Sequence, residues 1–156
     1  MQVDLDDIDL KILDIMQPNA RISNVELAKQ LGMAPSAVLE RVKKLEQKKV
    51  ILQYNTSINP HSLNQRLLAF VFIRTKEGAD SDAKIAASLA KVPEVQEVHI
   101  IAGEDCFFVK VRTEDTRSLI TLMRKSLKRI PNVISTKTTI VLETVKEQQQ
   151  VVIPKN

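Results

Sequence analysis

NVELAKQLGMAPSAVLERVKKL, residues Asn24 to Leu45, decides the fold of the first half of the chain. Val25, Leu27, Ala28 and Leu31 recur at helical spacing and mark an apolar stripe. Gly32 follows at once, where a helix end favours a residue that tolerates the left-handed conformation. Pro35 suits the first position of a new helix, because the N–H it lacks would find no helical partner there. That helix carries Val38, Val42 and Leu45 at i, i+4 and i+7, with Ser36, Glu40, Arg41, Lys43 and Lys44 on its other faces. Ala28, four residues before the glycine, lets the two helices cross closely. The pattern is a helix-turn-helix whose second helix presents a basic flank to a DNA groove.

Outward from this stretch, Leu5 to Met16 reads as a preceding helix, capped by Asp6 with Asp9 three residues on. Ile8, Ile12, Ile15 and Met16 form its buried side, and Pro18-Asn19 ends it. Ser23 caps the next helix, with Glu26 expected to complete a capping box. Ala34 falls on the N-cap position of the third and offers no side-chain acceptor, a loss of about 1 kcal/mol. Charge is segregated: Asp4, Asp6, Asp7, Asp9 and Asp14 crowd the first helix, while Lys29, Arg41, Lys43, Lys44, Lys48 and Lys49 gather around the other two. One basic face suits a module that meets phosphates from one side.

After Lys49, VILQYNTSIN alternates like a wing strand or an ordered linker, expected over residues 51–64. The second half changes rhythm. Leu67 to Lys76 reads as a strand apolar on both faces, Asp80 to Lys91 as a helix, and Val95 to Ala102 and Cys106 to Thr113 as a hairpin. Thr116 to Ile130 reads as a helix and Val133 to Val145 as a last strand. The order βαββαβ predicts a ferredoxin-like α+β domain with both helices on one sheet face. The expected organisation is a DNA-binding domain at 1–50, the linker, a sensing and oligomerisation domain at 65–146, and a tail at 147–156. Both faces of the first strand are apolar, so a second copy of the chain is the expected cover for the open face.

Composition bounds the rest. A chain of 156 residues with 44% hydrophobic and 27% charged residues is globular. The acidic N-terminus and the lack of a long apolar run predict a cytoplasmic protein that meets no membrane. The single cysteine, Cys106, and the two separated histidines, His61 and His99, offer no metal-ligand spacing. No Walker loop, GxGxxG or His/acid pair points to catalysis, so neither a catalytic nor a metal site is expected.

LDDIDLKIL, NARISNVELAKQLGMAPSAVLERVKKLEQKKVI and the βαββαβ pattern together resemble the Lrp/AsnC family of transcription regulators over essentially the whole chain. The resemblance implies a winged helix-turn-helix joined to a ligand-sensing domain (RAM) that dimerises through its sheet. It also implies assembly of dimers into tetramers or octamers, and an amino-acid effector bound between dimers. The DNA-facing candidates are Lys29, Pro35, Ser36, Glu40, Arg41, Lys43 and Lys44, with Arg41 and Ser36 reading base edges or holding register and the lysines pairing with phosphates. Ala34 stands where the family usually has serine. The effector candidates are Ile101, Ala102, Gly103, Glu104, Asp105 and Cys106 in the hairpin loop, with Thr136 and Thr138 on the last strand. Cys106 occupies the family's usual aspartate position, and Asp105 lies one place earlier. The expected function is a sequence-specific regulator, cytoplasmic and nucleoid-associated, bound to double-stranded DNA. The alternative is an effector-independent architectural protein that wraps DNA.

Overall fold

The computed structural model describes residues 4–76 and 79–154, without the side chains of 79–81. The start of the expected first domain at 1–3, the Asp80 side chain and the tail end at 155–156 lie outside the described residues. The chain divides into two compact units, Met1–Ser57 with Lys146–Asn156, and Ile58–Val145.

The first unit is built on α1 (Asp7–Met16), α2 (Asn24–Leu31) and α3 (Pro35–Gln47). Asp6 caps α1 by accepting from the Ile8 and Asp9 N–H groups, and the Asp9 carboxylate returns to the Asp6 N–H. Ser23 caps α2 through the Glu26 N–H. The reciprocal half of that expected box is absent, because the Glu26 carboxylate accepts from Gln30 instead. Gly32 takes φ 65°, and the Met33 N–H bonds the Ala28 carbonyl at 2.9 Å, closing a Schellman turn. Lys49 (φ 58°) does the same after α3, where the Val50 N–H bonds the Leu45 carbonyl.

Ile12, Met16, Leu27, Ala28, Val38, Val42 and Leu45 form the core of this unit. Val25, expected in the α2 stripe, is 66% exposed. It sits two residues from Leu27, about 200° around the helix, and so faces away.

Residues 51–59 form no strand, which corrects the wing-strand expectation. Their alternating side chains are suited to a ladder, but no described segment of the chain pairs with them, and Leu52 and Ile58 are exposed. Tyr54 instead donates its hydroxyl to Glu46 of α3 at 2.7 Å. The tail is more than an appendage. The Gln17 side-chain amide donates to the Val151 carbonyl at 2.8 Å and accepts from the Val151 N–H at 2.7 Å, completing both bonds of a β-type pair.

The second unit opens with a short 3-10 turn, Pro60–Leu63, capped by Asn59, so that 58–64, the end of the expected linker, is ordered and grouped with this unit. Its sheet comprises β1 (Leu67–Thr75), β2 (Val95–Ile100), β3 (Phe107–Thr113) and β4 (Val133–Ile140) in the order β2-β3-β1-β4, all antiparallel. The helices are α4 (Ala79–Leu89) and α5 (Thr116–Lys125). The expected helix to Ile130 ends five residues early. Its apolar spacing continues at Leu127 and Ile130, but a 3-10 turn at Leu127–Arg129 carries them. The last strand likewise stops at Ile140, and Leu142 and Val145 are exposed.

Ala69, Val71, Ile73, Phe107, Val109 and Val111 point into a core completed by Ile85, Leu89, Leu119, Leu122 and Leu127. Alternation sends Phe70, Phe72 and Phe108 to the opposite face. There the Phe108 ring stacks on Phe70 at 5.0 Å and meets Phe72 edge-on at 5.3 Å. Lys110 and Glu97 form an ion pair of 3.0 Å on that face, and the lysine holds the Glu97 carboxyl below its ordinary range. All three rings are half-buried, so the sheet has a dry helix face and an aromatic open face.

Candidate nucleic-acid interface and effector loop

Val38, Val42 and Leu45 pin one side of α3 into the core at 0%, 6% and 2% exposure. At about 100° per residue, the opposite side is the line Ser36, Glu40, Lys43 and Gln47, spaced i, i+4, i+7 and i+11. All four are exposed, and Pro35 and Lys44 flank them, also exposed. Ala34 makes no side-chain cap, and its carbonyl takes the Ala37 and Val38 N–H groups at 3.1 and 3.2 Å, which leaves Pro35 and Ser36 at the head of α3. Lys29 is exposed on α2. Gln47 was missing from the sequence candidates. Continuing the i+4 and i+7 series one step past Lys43 would have found it.

Arg41 also makes contacts within the unit. Its Nη1 donates to Asp6 Oδ2 at 2.7 Å and to Asp9 Oδ1 at 2.8 Å, with 29% of its side chain exposed. Three residues from Val38 and one from Val42, it lies beside the buried stripe and points toward α1. The two carboxylates push its guanidinium further up in pKa. Asp6 is held below the ordinary carboxylate range, first by the Asp9 N–H and then by Arg41. The acids at the start of α1 are therefore anchors for α3 as well as a helix cap. The expected base-edge contact of Arg41 therefore competes with this clip, which engages its Nη1 within the unit. Sequence spacing could not show this, since the partners lie 35 and 32 residues away.

The effector candidates gather at one end of the sheet. The Ile101 N–H bonds the Cys106 carbonyl at 2.9 Å, closing the loop, and the Cys106 N–H bonds the Ile73 carbonyl of β1 at 2.9 Å. Ile73 is paired with Thr136 of β4 on its other side, so one residue of β1 links the loop to Thr136. Thr138 lies one pleat further off, opposite Val71, with its hydroxyl turned to the Met123 sulfur of α5 at 3.9 Å. Ala102, Gly103 and Glu104 are exposed, Asp105 is half-buried, and half-buried Cys106 packs against the core. Gly103 takes φ 149°, a conformation that disfavours any side chain. Among the described residues no cluster of metal-ligating side chains occurs. No helix among them is long and apolar enough to cross a membrane.

Residues 5–46 match the model of the AsnC-type helix-turn-helix domain, and residues 68–151 match that of the Lrp/AsnC ligand binding domain. The chain is 40% identical over 151 residues to the leucine-responsive regulatory proteins of Escherichia coli K12 and Salmonella typhimurium, covering 96% of this chain and 92% of each relative. The chain belongs to the Lrp/AsnC family. It is a DNA-binding transcriptional regulator, not an enzyme, and its α+β second unit is the family's ligand-binding domain. Among solved Lrp/AsnC structures, E. coli AsnC superimposes with a TM-score of 0.87 at 28% identity, covering 97% of this chain and 100% of that one. A Neisseria meningitidis regulator in complex with L-Met gives 0.89 at 30% identity, covering 96% and 97%. The feast or famine regulatory protein of M. tuberculosis, complexed with L-methionine, gives 0.89 at 33% identity, covering 97% and 100%.

Proposed function

We propose that α3 enters the major groove with Ser36, Glu40, Lys43 and Gln47 toward the base edges, while Lys44 and Lys29 meet phosphates. The observation that carries this reading is the exposed line on α3, held by its buried reverse side and by the Arg41 clip to Asp6 and Asp9. The Ser36 N–H, next to Pro35 at the head of α3, suits a backbone phosphate.

A second copy of the chain covers the Phe70, Phe72 and Phe108 face, because half-buried stacked rings beside a partly screened ion pair fit a two-fold apolar interface. Such a dimer offers two α3 helices to half-sites about one DNA turn apart. Dimers then join into tetramers or octamers. The effector is an amino acid held at the 101–106 loop, with Glu104 or Asp105 answering its ammonium group and Gly103 giving its carboxylate a close approach to the backbone. The L-methionine complexes of two structural neighbours support this class of ligand. DNA as partner supports a location in the cytoplasm with the nucleoid.

Size-exclusion chromatography with light scattering, run with each of the common amino acids in turn, tests the effector reading. One amino acid should shift the assembly, and Gly103→Val should abolish the shift while leaving the mass without effector unchanged. No shift, together with an unaltered DNA affinity, would remove effector control and leave a constitutive DNA-wrapping protein.

A further inference from the structure

Between Asp115 and Glu143 the chain contains no acid, while Arg117, Arg124, Lys125, Lys128, Arg129 and Lys137 supply six cations. Five of the six fall on α5 and the 3-10 turn after it. All five are exposed, and none closes an ion pair among the described residues. Arg41, clipped to Asp6 and Asp9, and Lys110, paired with Glu97, are by contrast engaged. The reverse side of this element is fixed, with Leu119, Leu122 and Leu127 in the core at 4%, 5% and 0% exposure.

Arg117, Thr121, Arg124 and Lys125 stand at i, i+4, i+7 and i+8 and share one face of α5. Beside them runs a cleft of about 400 Å³ lined by Arg117, Ser118, Thr121, Leu122, Lys125 and Ser126, and by one acid, Glu94. Guanidinium, ammonium and hydroxyl groups together are the donor set that holds phosphate oxygens. The helix dipole accounts for Arg124 and Lys125 in the last turn. It disfavours Arg117 in the first turn, where Asp115 is committed to the Ser118 N–H at 2.7 Å.

We propose that α5 and the turn after it form a second, sequence-independent DNA contact in the ligand-binding unit, taking the phosphate backbone of duplex that extends beyond the operator. The proposal rests on the DNA-binding reading above. From Arg117 to Lys125 the cations span about 12 Å at ~1.5 Å per residue. One strand of duplex over that length carries about three to four phosphates, one per ~3.4 Å, so the three cations are about as many as the charges of a single strand. DNA that enters through α3 has further length to offer it, which favours duplex over other polyanions.

The test uses the full chain and two duplexes sharing one selected operator: one ends at the half-sites, and the other extends about 30 base pairs further, roughly three helical turns. Affinity is measured by fluorescence anisotropy across a salt series for the wild type, R117Q/R124Q/K125Q and the charge-keeping R117K/R124K. The wild type should show a steeper salt slope on the long duplex than on the short one. The triple variant should lose about 2.7 units of that slope, three contacts at ~0.9 each, with the short duplex unaffected. R117K/R124K should keep the wild-type slope and confirms that the face tolerates substitution. A triple variant with the wild-type slope on the long duplex overturns the proposal while leaving operator binding by α3 intact. A wild type that binds neither duplex overturns the regulator reading itself. Loss of binding to phosphatidylserine vesicles with no change on long DNA would assign the strip to a membrane surface instead.

Discussion

Replacing Arg41 by alanine tests how α3 is held. The side chain spans from α3 to two carboxylates of α1, at 2.7 Å to Asp6 and 2.8 Å to Asp9. Asp6 is 54% exposed, so its share is that of a surface ion pair, about 0.5 kcal/mol. Asp9 is only 15% exposed, and stripping its partner leaves a half-buried carboxylate, worth about 1–1.5 kcal/mol. Together the loss is about 2 kcal/mol, which should shift the urea midpoint of so small a unit by about 1–2 M. The chain supplies its own probe: Tyr54 is the single tyrosine, there is no tryptophan, and its hydroxyl is bonded to Glu46 at the end of α3. Tyrosine fluorescence therefore reports the first unit. The pH dependence has a definite sign. Asp6 titrates lower in the folded state, so its contribution is present above the unfolded value of about 3.9 and fades as pH falls through the lower folded one. The gap between wild type and Arg41→Ala should hold at neutral pH and close in acid. An unchanged midpoint at neutral pH would refute the clip and return Arg41 to the DNA-facing set.

Burial, followed by the Glu46 contact, pushes the Tyr54 phenol up to about 12. An absorbance titration should place its ionisation well above 10, and Glu46→Gln should bring it down. The raised value also means that this contribution to stability is full below about pH 10 and is lost as pH climbs through the folded value. Gln17→Ala removes both bonds to Val151. Hydrogen exchange at the Val151 amide should then approach that of an open chain; retained protection would mean that another contact holds the tail. Thr75 has a buried hydroxyl with no hydrogen-bond partner among the described residues. Thr75→Val should be neutral or stabilising by up to about 1 kcal/mol, and a lower melting temperature would reveal a partner for that hydroxyl.

The helix-turn-helix was legible because its signals are local. Gly32 and Pro35 punctuate α2 and α3, and the Asp6 and Ser23 caps precede apolar positions that, Val25 apart, are buried or half-buried. The βαββαβ order was legible for the same reason, since each strand and helix carries its own period. What escaped depends on partners distant in sequence. LQYNTSI alternates like a strand, but a strand needs a neighbouring backbone, and none of the described segments supplies one. Gln17 and Val151 are 134 residues apart, so nothing near either residue marks the pair. Arg41 stands on the basic helix, and nothing near it in sequence marks its ion pairs with acids on α1. In the effector region the loop and Thr136 are brought together by Ile73, but Thr138 faces Met123, a detail of strand register that no motif encodes.

The most direct measurement is the affinity of the full chain for a duplex enriched by in vitro selection, against a random duplex at one fixed salt concentration. A regulator that reads base edges through Ser36, Glu40, Lys43 and Gln47 should favour the selected duplex by at least about 10³, and Lys43→Ala with Gln47→Ala should erase most of that preference. A ratio near one in the wild type would contradict sequence-specific regulation and leave a protein that holds DNA by its phosphates alone.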